Sequence, residues 1–77
     1  MTLTDAQIKV MQEDMCASIV QLLMERWGYS MEEAISVLYN SDTFVRLQDK
    51  GTGFYYQSPG YVYSFLEYEM THGCFGE

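Results

Sequence analysis

Apolar side chains recur at three- and four-residue spacing from the start of the chain: Ile8, Met11, Met15, Ile19 and Leu22. That spacing is the period of an α-helix, and start and stop signals frame it. Thr4 can accept from the backbone N–H of Gln7 while the Gln7 side chain reaches back, which makes a capping box. Asp5 suits the positive end of the helix dipole. Gly28 follows Trp27 as a C-terminal stop. The pattern predicts a first helix over residues 4–27.

Its second half, MCASIVQLLMERW at 15–27, is the longest strongly apolar stretch. At about 100° per residue, Asp14, Ser18, Gln21 and Glu25 fall on one narrow arc. Cys16, Ile19, Val20, Leu22, Leu23, Met24 and Trp27 spread around much of the rest. A surface helix keeps a single apolar stripe. This one is predicted to be central, wrapped by later helices, with apolar surface left over for a second subunit. A membrane span needs roughly 20 apolar residues, and Gln21 and Glu25 interrupt this shorter run.

Three shorter helices follow. Ser30 and Glu33 form a second capping box, ahead of Met31, Ala34, Ile35 and Leu38 on one face. Asn40, Ser41 and Asp42 bond their own backbone and end it. Ser41 or Asp42 then caps a helix over 43–48 that buries Phe44 and Leu47. Residues 49–53, with Gly51 and Gly53, read as a turn. Phe54-Tyr55-Tyr56 has β-propensity but no strand to pair with, so a packed loop is expected. Ser58 caps the last helix and Pro59 takes its first position, where the missing N–H costs nothing. Val62, Phe65, Leu66 and Met70 make its buried face, Tyr61 and Tyr68 flank it, and Gly73 ends it. The expected fold is all-α: one domain over 1–77, a small four-helix bundle with a long N-terminal helix, and a loose tail at 73–77.

Size changes the picture. A 77-residue chain buries only about 60% of its unfolded surface, and such chains lean on disulfides, metals or oligomerisation. Cys16 and Cys74 do not make a disulfide framework. Cys16 reads as a small buried hydrophobe, and two unpaired thiols fit a reducing compartment. The opening MTLTDAQIKV lacks the charged start and apolar run of a secretory leader, so a cytoplasmic location is expected. Net charge is -7, and Lys9, Arg26, Arg46 and Lys50 form no patch. Phosphate backbones need clustered cations, which argues against nucleic acid and anionic membrane.

No constellation points to catalysis, a metal or a cofactor. His72 and Cys74 lie two apart beyond a helix stop, which does not hold a nucleophile and base in register. With Glu69 they still fall short of the four ligands of structural zinc. Glu32 and Glu33 belong to the first turn of a helix, and Glu67 and Glu69 cannot share a helical face; all four read as solvated carboxylates. A helix-turn-helix over 31–48 would offer the DNA groove Arg46 as its only cation.

Seven Tyr, four Phe and one Trp make 16% of the chain, most of them after Leu38. Phe65 and one of Tyr55 or Tyr56 are expected in the core. The surplus is large for a small domain, and Tyr tolerates half-wet positions and is enriched where proteins meet. The candidate interaction surface is therefore Tyr55, Tyr56, Tyr61, Tyr63 and Tyr68, with Val20, Met24 and Trp27 of the long helix.

Residues 32–69 also resemble a family of small uncharacterised bacterial proteins. The likeness rests on Leu38-Tyr39-Asn40-Ser41, Leu47-Gln48-Asp49, Thr52-Gly53, Tyr56-Gln57-Ser58 and Tyr61-Val62-Tyr63, about half the chain. It implies a short all-helical protein with no established reaction. Some members are encoded beside toxin-like or mobile-element genes, which leaves an antitoxin-type role open. The expected function is a non-enzymatic interaction module that self-associates, as a dimer, through helix 4–27. The alternatives are a partner-binding protein that uses the Tyr-rich segment 54–68, and a small-molecule binder.

Overall fold

The computed structural model describes residues 3–72. Among them are four α-helices, α1 (Asp5–Trp27), α2 (Met31–Tyr39), α3 (Asp42–Gln48) and α4 (Pro59–His72), with 3₁₀ turns at Lys50–Thr52 and Phe54–Tyr56 and no strand. The expected all-α bundle with a long first helix is what forms. The tail at 73–77, with Gly73 and Cys74, lies outside the described residues.

α1 is the spine. At 1.5 Å per residue its 23 residues span about 34 Å, close to the 38 Å long dimension of the molecule. Both capping boxes form. Thr4 Oγ1 accepts from the Gln7 N–H (3.1 Å) and Gln7 Oε1 from the Thr4 N–H (2.8 Å). Ser30 and Glu33 repeat the arrangement at α2. Gly28 ends α1 at φ +71°, and its N–H returns to the Met24 carbonyl. Gly53 also sits at φ +71°, where a Cβ would lie 2.7 Å from the Tyr56 hydroxyl oxygen. The 49–53 turn therefore needs glycine there on two counts.

α2 and α4 pack against α1, and α3 packs against α4. The core they enclose holds Met15, Ile19, Leu23, Ala34, Leu38, Leu47, Phe54, Val62, Tyr63 and Leu66. Two expectations are corrected here. Ala34 and Leu38 are buried, but Met31 is 59% exposed and Ile35 is also exposed, because α2 rests mainly on α1 and its outer edge lines an open groove. Phe65 and Tyr55 are only half-buried and Tyr56 is exposed; Phe54 and Tyr63 take the core positions instead. Phe54-Tyr55-Tyr56 is a 3₁₀ turn that drives Phe54 inward against Phe65, at 5.2 Å between ring centroids.

α3 is seven residues long, too short to be stable alone. Its two ends are held by distant side chains. At the N-terminus Ser41 caps the Phe44 N–H. There Glu69 of α4 also accepts from the Asp42 N–H (2.7 Å), the Thr43 N–H (3.1 Å) and the Thr43 hydroxyl (2.9 Å). Glu69 is thus a second, long-range cap and not the solvated carboxylate expected from sequence. At the C-terminus buried Gln12 of α1 donates through Nε2 to the carbonyls of Leu47 (2.9 Å) and Gln48 (3.1 Å), groups a helix end leaves unpaired. Among the described residues no buried side-chain nitrogen or oxygen lacks a partner.

Two stability predictions follow from these ties. Removing a partner of a charged hydrogen bond costs roughly 1.5–3 kcal/mol. Glu69→Ala should therefore lower the urea midpoint by the equivalent of about 2 kcal/mol, while Glu67→Ala should change it far less. Gln12→Leu keeps the volume but strands two carbonyls, and should cost about 1–3 kcal/mol in the same assay. A neutral Gln12→Leu would mean that water replaces the amide without loss.

Candidate interaction surface

The candidate aromatic surface divides once the rings are placed. Tyr63 is 4% exposed. Its ring is part of the core, which removes it from any contact surface. Its hydroxyl accepts from Trp27 Nε1–H at 2.8 Å and donates to Glu67 Oε2 at 3.4 Å. The Arg26 guanidinium lies 5.4 Å from the centre of its ring. Burial pushes the Tyr63 hydroxyl above the ordinary phenol range; the Trp27 hydrogen bond and Arg26 oppose the shift, and Glu67 adds to it. Trp27 keeps part of its indole in solvent, but it is pinned by this bond and by stacking on Tyr29 at 6.0 Å.

Tyr56 is 62% exposed, and Tyr61 and Tyr68 are exposed to a lesser degree. Their rings mostly meet neighbours from the same segment. Tyr61 packs edge-on against Phe65 (5.1 Å) and Phe54 (6.4 Å), Tyr55 against Tyr56 (5.2 Å), and Tyr68 stacks on His72 (3.9 Å). His72 Nδ1 lies 3.0 Å from the Tyr68 carbonyl oxygen and 2.9 Å from Thr71 Oγ1. The aromatic surplus is largely spent within residues 54–72, as lids over a small core.

The more open apolar surface lies along α1 and α2, where the sequence had pointed only in part. Val20 and Met24 are half-buried against the core, yet Val20 also edges a groove. Cys16, Ala17 and Val20 of α1 face Met31, Ile35 and Tyr39 of α2 across a cavity of about 460 Å³. Lys9, Gln12, Glu13 and Gln48 close its polar end. Val10, 55% exposed, and Leu3 continue the apolar surface toward the start of α1. Met31, Ile35 and Tyr39 are four apart and so share one helix face. That regular spacing was the available signal for the groove, but it reads equally well as a buried stripe.

The Cys16 thiol is raised above its ordinary range, first by burial and second by Glu13, and so is a weak nucleophile. A second cavity, about 470 Å³, lies between α1 and α4 and is lined by Gln21, Glu25, Arg26, Ser64 and Glu67 among others. It is the more polar of the two, and Gln21 and Glu25 already bond each other across one helical turn (3.1 Å). Among the described residues no three His, Cys, Asp or Glu side chains converge to hold a metal, and no helix is long and apolar enough to cross a membrane.

The buried phenol has a measurable consequence. A raised folded-state pKa means that the unfolded chain releases this proton first, so stability is full below pH 10 and falls as pH rises beyond it. The urea midpoint should fall between pH 9 and 11 more steeply for the native protein than for Tyr63→Phe. Parallel slopes would place the titration elsewhere. No protein-family model matches the chain, and no curated protein or solved structure matches it either.

Proposed function

We propose that this chain is a small protein–protein interaction module without a catalytic role, and that it self-associates through α1 and the outer edge of α2. One observation carries the reading. Exposed Ala17, Met31, Ile35 and Tyr39, with half-buried Val20, line an open groove of about 460 Å³ between α1 and α2, and exposed Val10 adds to the apolar surface of α1. Contiguous apolar patches rimmed by polar groups are a mark of association surfaces. The groove also has the shape that receives an amphipathic helix.

The Tyr-rich segment supports a partner-binding role less well. Tyr63 is inside the core, and Tyr61 and Tyr68 already have ring partners on α4. The acidic balance of -7 disfavours nucleic acid as the partner. The half-buried Cys16, with its raised pKa, fits a reducing setting such as the cytoplasm.

Ala17 is exposed, so a charge there leaves the monomer intact and spoils an apolar contact. Sedimentation at about 100 μM should show a reversible dimer for the native protein. Ala17→Glu should weaken it at least tenfold with unchanged helical circular dichroism. A native protein that stays monomeric at that concentration ends the reading.

A further inference from the structure

α3 and the turn behind it are attached differently from the other helices. α1, α2 and α4 supply Ile19, Leu23, Leu38, Val62 and Leu66 to the core. α3 buries only Thr43 and Leu47 and half-buries Phe44. Its other ties come from outside and are polar: Glu69 at one end, Gln12 at the other, and the exposed Lys50–Asp5 pair (2.8 Å) beyond it. Water can replace each of these bonds, and an exposed ion pair contributes little.

Within itself the segment is well connected. The Thr52 hydroxyl lies within donating distance of the Arg46 (2.5 Å) and Asp49 (2.9 Å) carbonyls, and the Asp49 carboxylate accepts from the Gly51 N–H (2.8 Å). On the N-terminal side it begins at the Asn40-Ser41 break after α2. On the C-terminal side Gly53, at φ +71°, precedes Phe54, which is anchored against Phe65.

The segment also closes one end of the groove between α1 and α2. Gln48 of α3 lines that groove. So does Gln12, whose amide is taken up by the α3 carbonyls, and so does Tyr39, whose ring stacks on Phe44 at 4.5 Å. We propose that α3 is a hinged lid on this end of the groove: residues 42–53 leave as one unit while α1, α2 and α4 stay packed. The hinges are the 40–41 break and Gly53. The lid is a property of the single chain and stands whether or not copies associate.

Two arrangements are favoured over anything between them. With Leu47 seated, its carbonyl needs the Gln12 amide, because a buried carbonyl left unpaired bears the full desolvation penalty. With α3 withdrawn, that carbonyl meets water and the penalty vanishes. Seven residues without a neighbour do not hold a helix, so the released segment unwinds. A docked helix and a released coil are the two ends of an order–disorder transition. Release removes Gln48 from the groove wall, frees the Tyr39 ring and leaves the Gln12 amide without its acceptors. The groove then lengthens toward the place that Leu47 had filled. An occupant that takes up the freed amide favours release, and one that packs on Gln48 favours the docked lid.

Residue-resolved hydrogen exchange on the full chain, across sub-denaturing urea, tests the lid. The amides from Thr43 to Gly53 should share one opening constant, about tenfold or more above that of 15–23, with a shallower urea dependence, because lid release exposes less surface than unfolding. Ile19→Val, a mild core substitution, should speed exchange at 15–23 about twofold or more and leave Thr43 to Gly53 unchanged, since residue 19 stays buried when the lid is out. If Thr43 to Gly53 instead follow 15–23, in urea and in Ile19→Val alike, α3 opens only with the whole molecule and the lid is overturned. Unrelated rates from residue to residue across the segment would mean fraying, which overturns it as well.

Discussion

The structure depends on how its shortest helix is held. α3 has seven residues, and a helix of that length does not repay its own nucleation cost. Glu69 closes its N-terminus from α4 and Gln12 closes its C-terminus from α1. One short helix is thereby fastened to both long ones at points 26 to 36 residues away in sequence. Leu47, on the inner side of α3, is then carried into the core against the α1 and α4 residues it completes. Without the two polar ties, the Leu47 carbonyl would be buried and unpaired, at a cost that offsets part of what the apolar contact contributes.

This explains which parts of the fold were legible in sequence. Local signals were sufficient where the physics is local. Thr4 with Gln7, Ser30 with Glu33, Ser41, Gly28 and Gly53 act within three or four residues of themselves, and the helix ends fall where they predict. Long-range polar pairing has no such signature. Gln12 looks like an ordinary polar position on α1, and Glu69 looks like a solvated carboxylate, until α3 is brought beside them. The aromatic residues failed as a guide for a related reason. Composition counts them but does not say which pair with one another, and Tyr63 finds Trp27 at a separation of 36 residues. What reads as a sticky surface is partly an internal network.

The candidate surface was legible only in outline. The excess apolar circumference of residues 15–27 did announce a helix packed on several sides, and Ile19 and Leu23 are fully buried. The location of the excess was less clear. Two of the three positions of the long helix expected to be left over, Val20 and Met24, are partly sheltered by the bundle. The unsheltered remainder extends to Leu3 and Val10 and across to α2. The reason is geometric. α2 is a nine-residue helix, and its stripe is split between an inner row, Ala34 and Leu38, and an exposed outer row, Met31, Ile35 and Tyr39, of which only Tyr39 has a ring partner, Phe44, among the described residues.

A small domain faces a surface-to-volume limit that favours this outcome. At this size the chain buries too little of its unfolded surface for a deep core. Packing α4 on one side of α1 and α2 on another uses what is available, and among the described residues Leu3, Val10 and Ala17 of α1 stay exposed. Scattered exposed apolar residues need no explanation, but these are ordered: the outer row of α2 lies opposite Ala17 and Val20 across a common groove. An ordered apolar arrangement of that kind is what the proposed association would use. The same exposed side that limits the stability of the monomer is therefore the place where association would contribute most to it, since a partner that binds only the folded chain stabilises it by mass action.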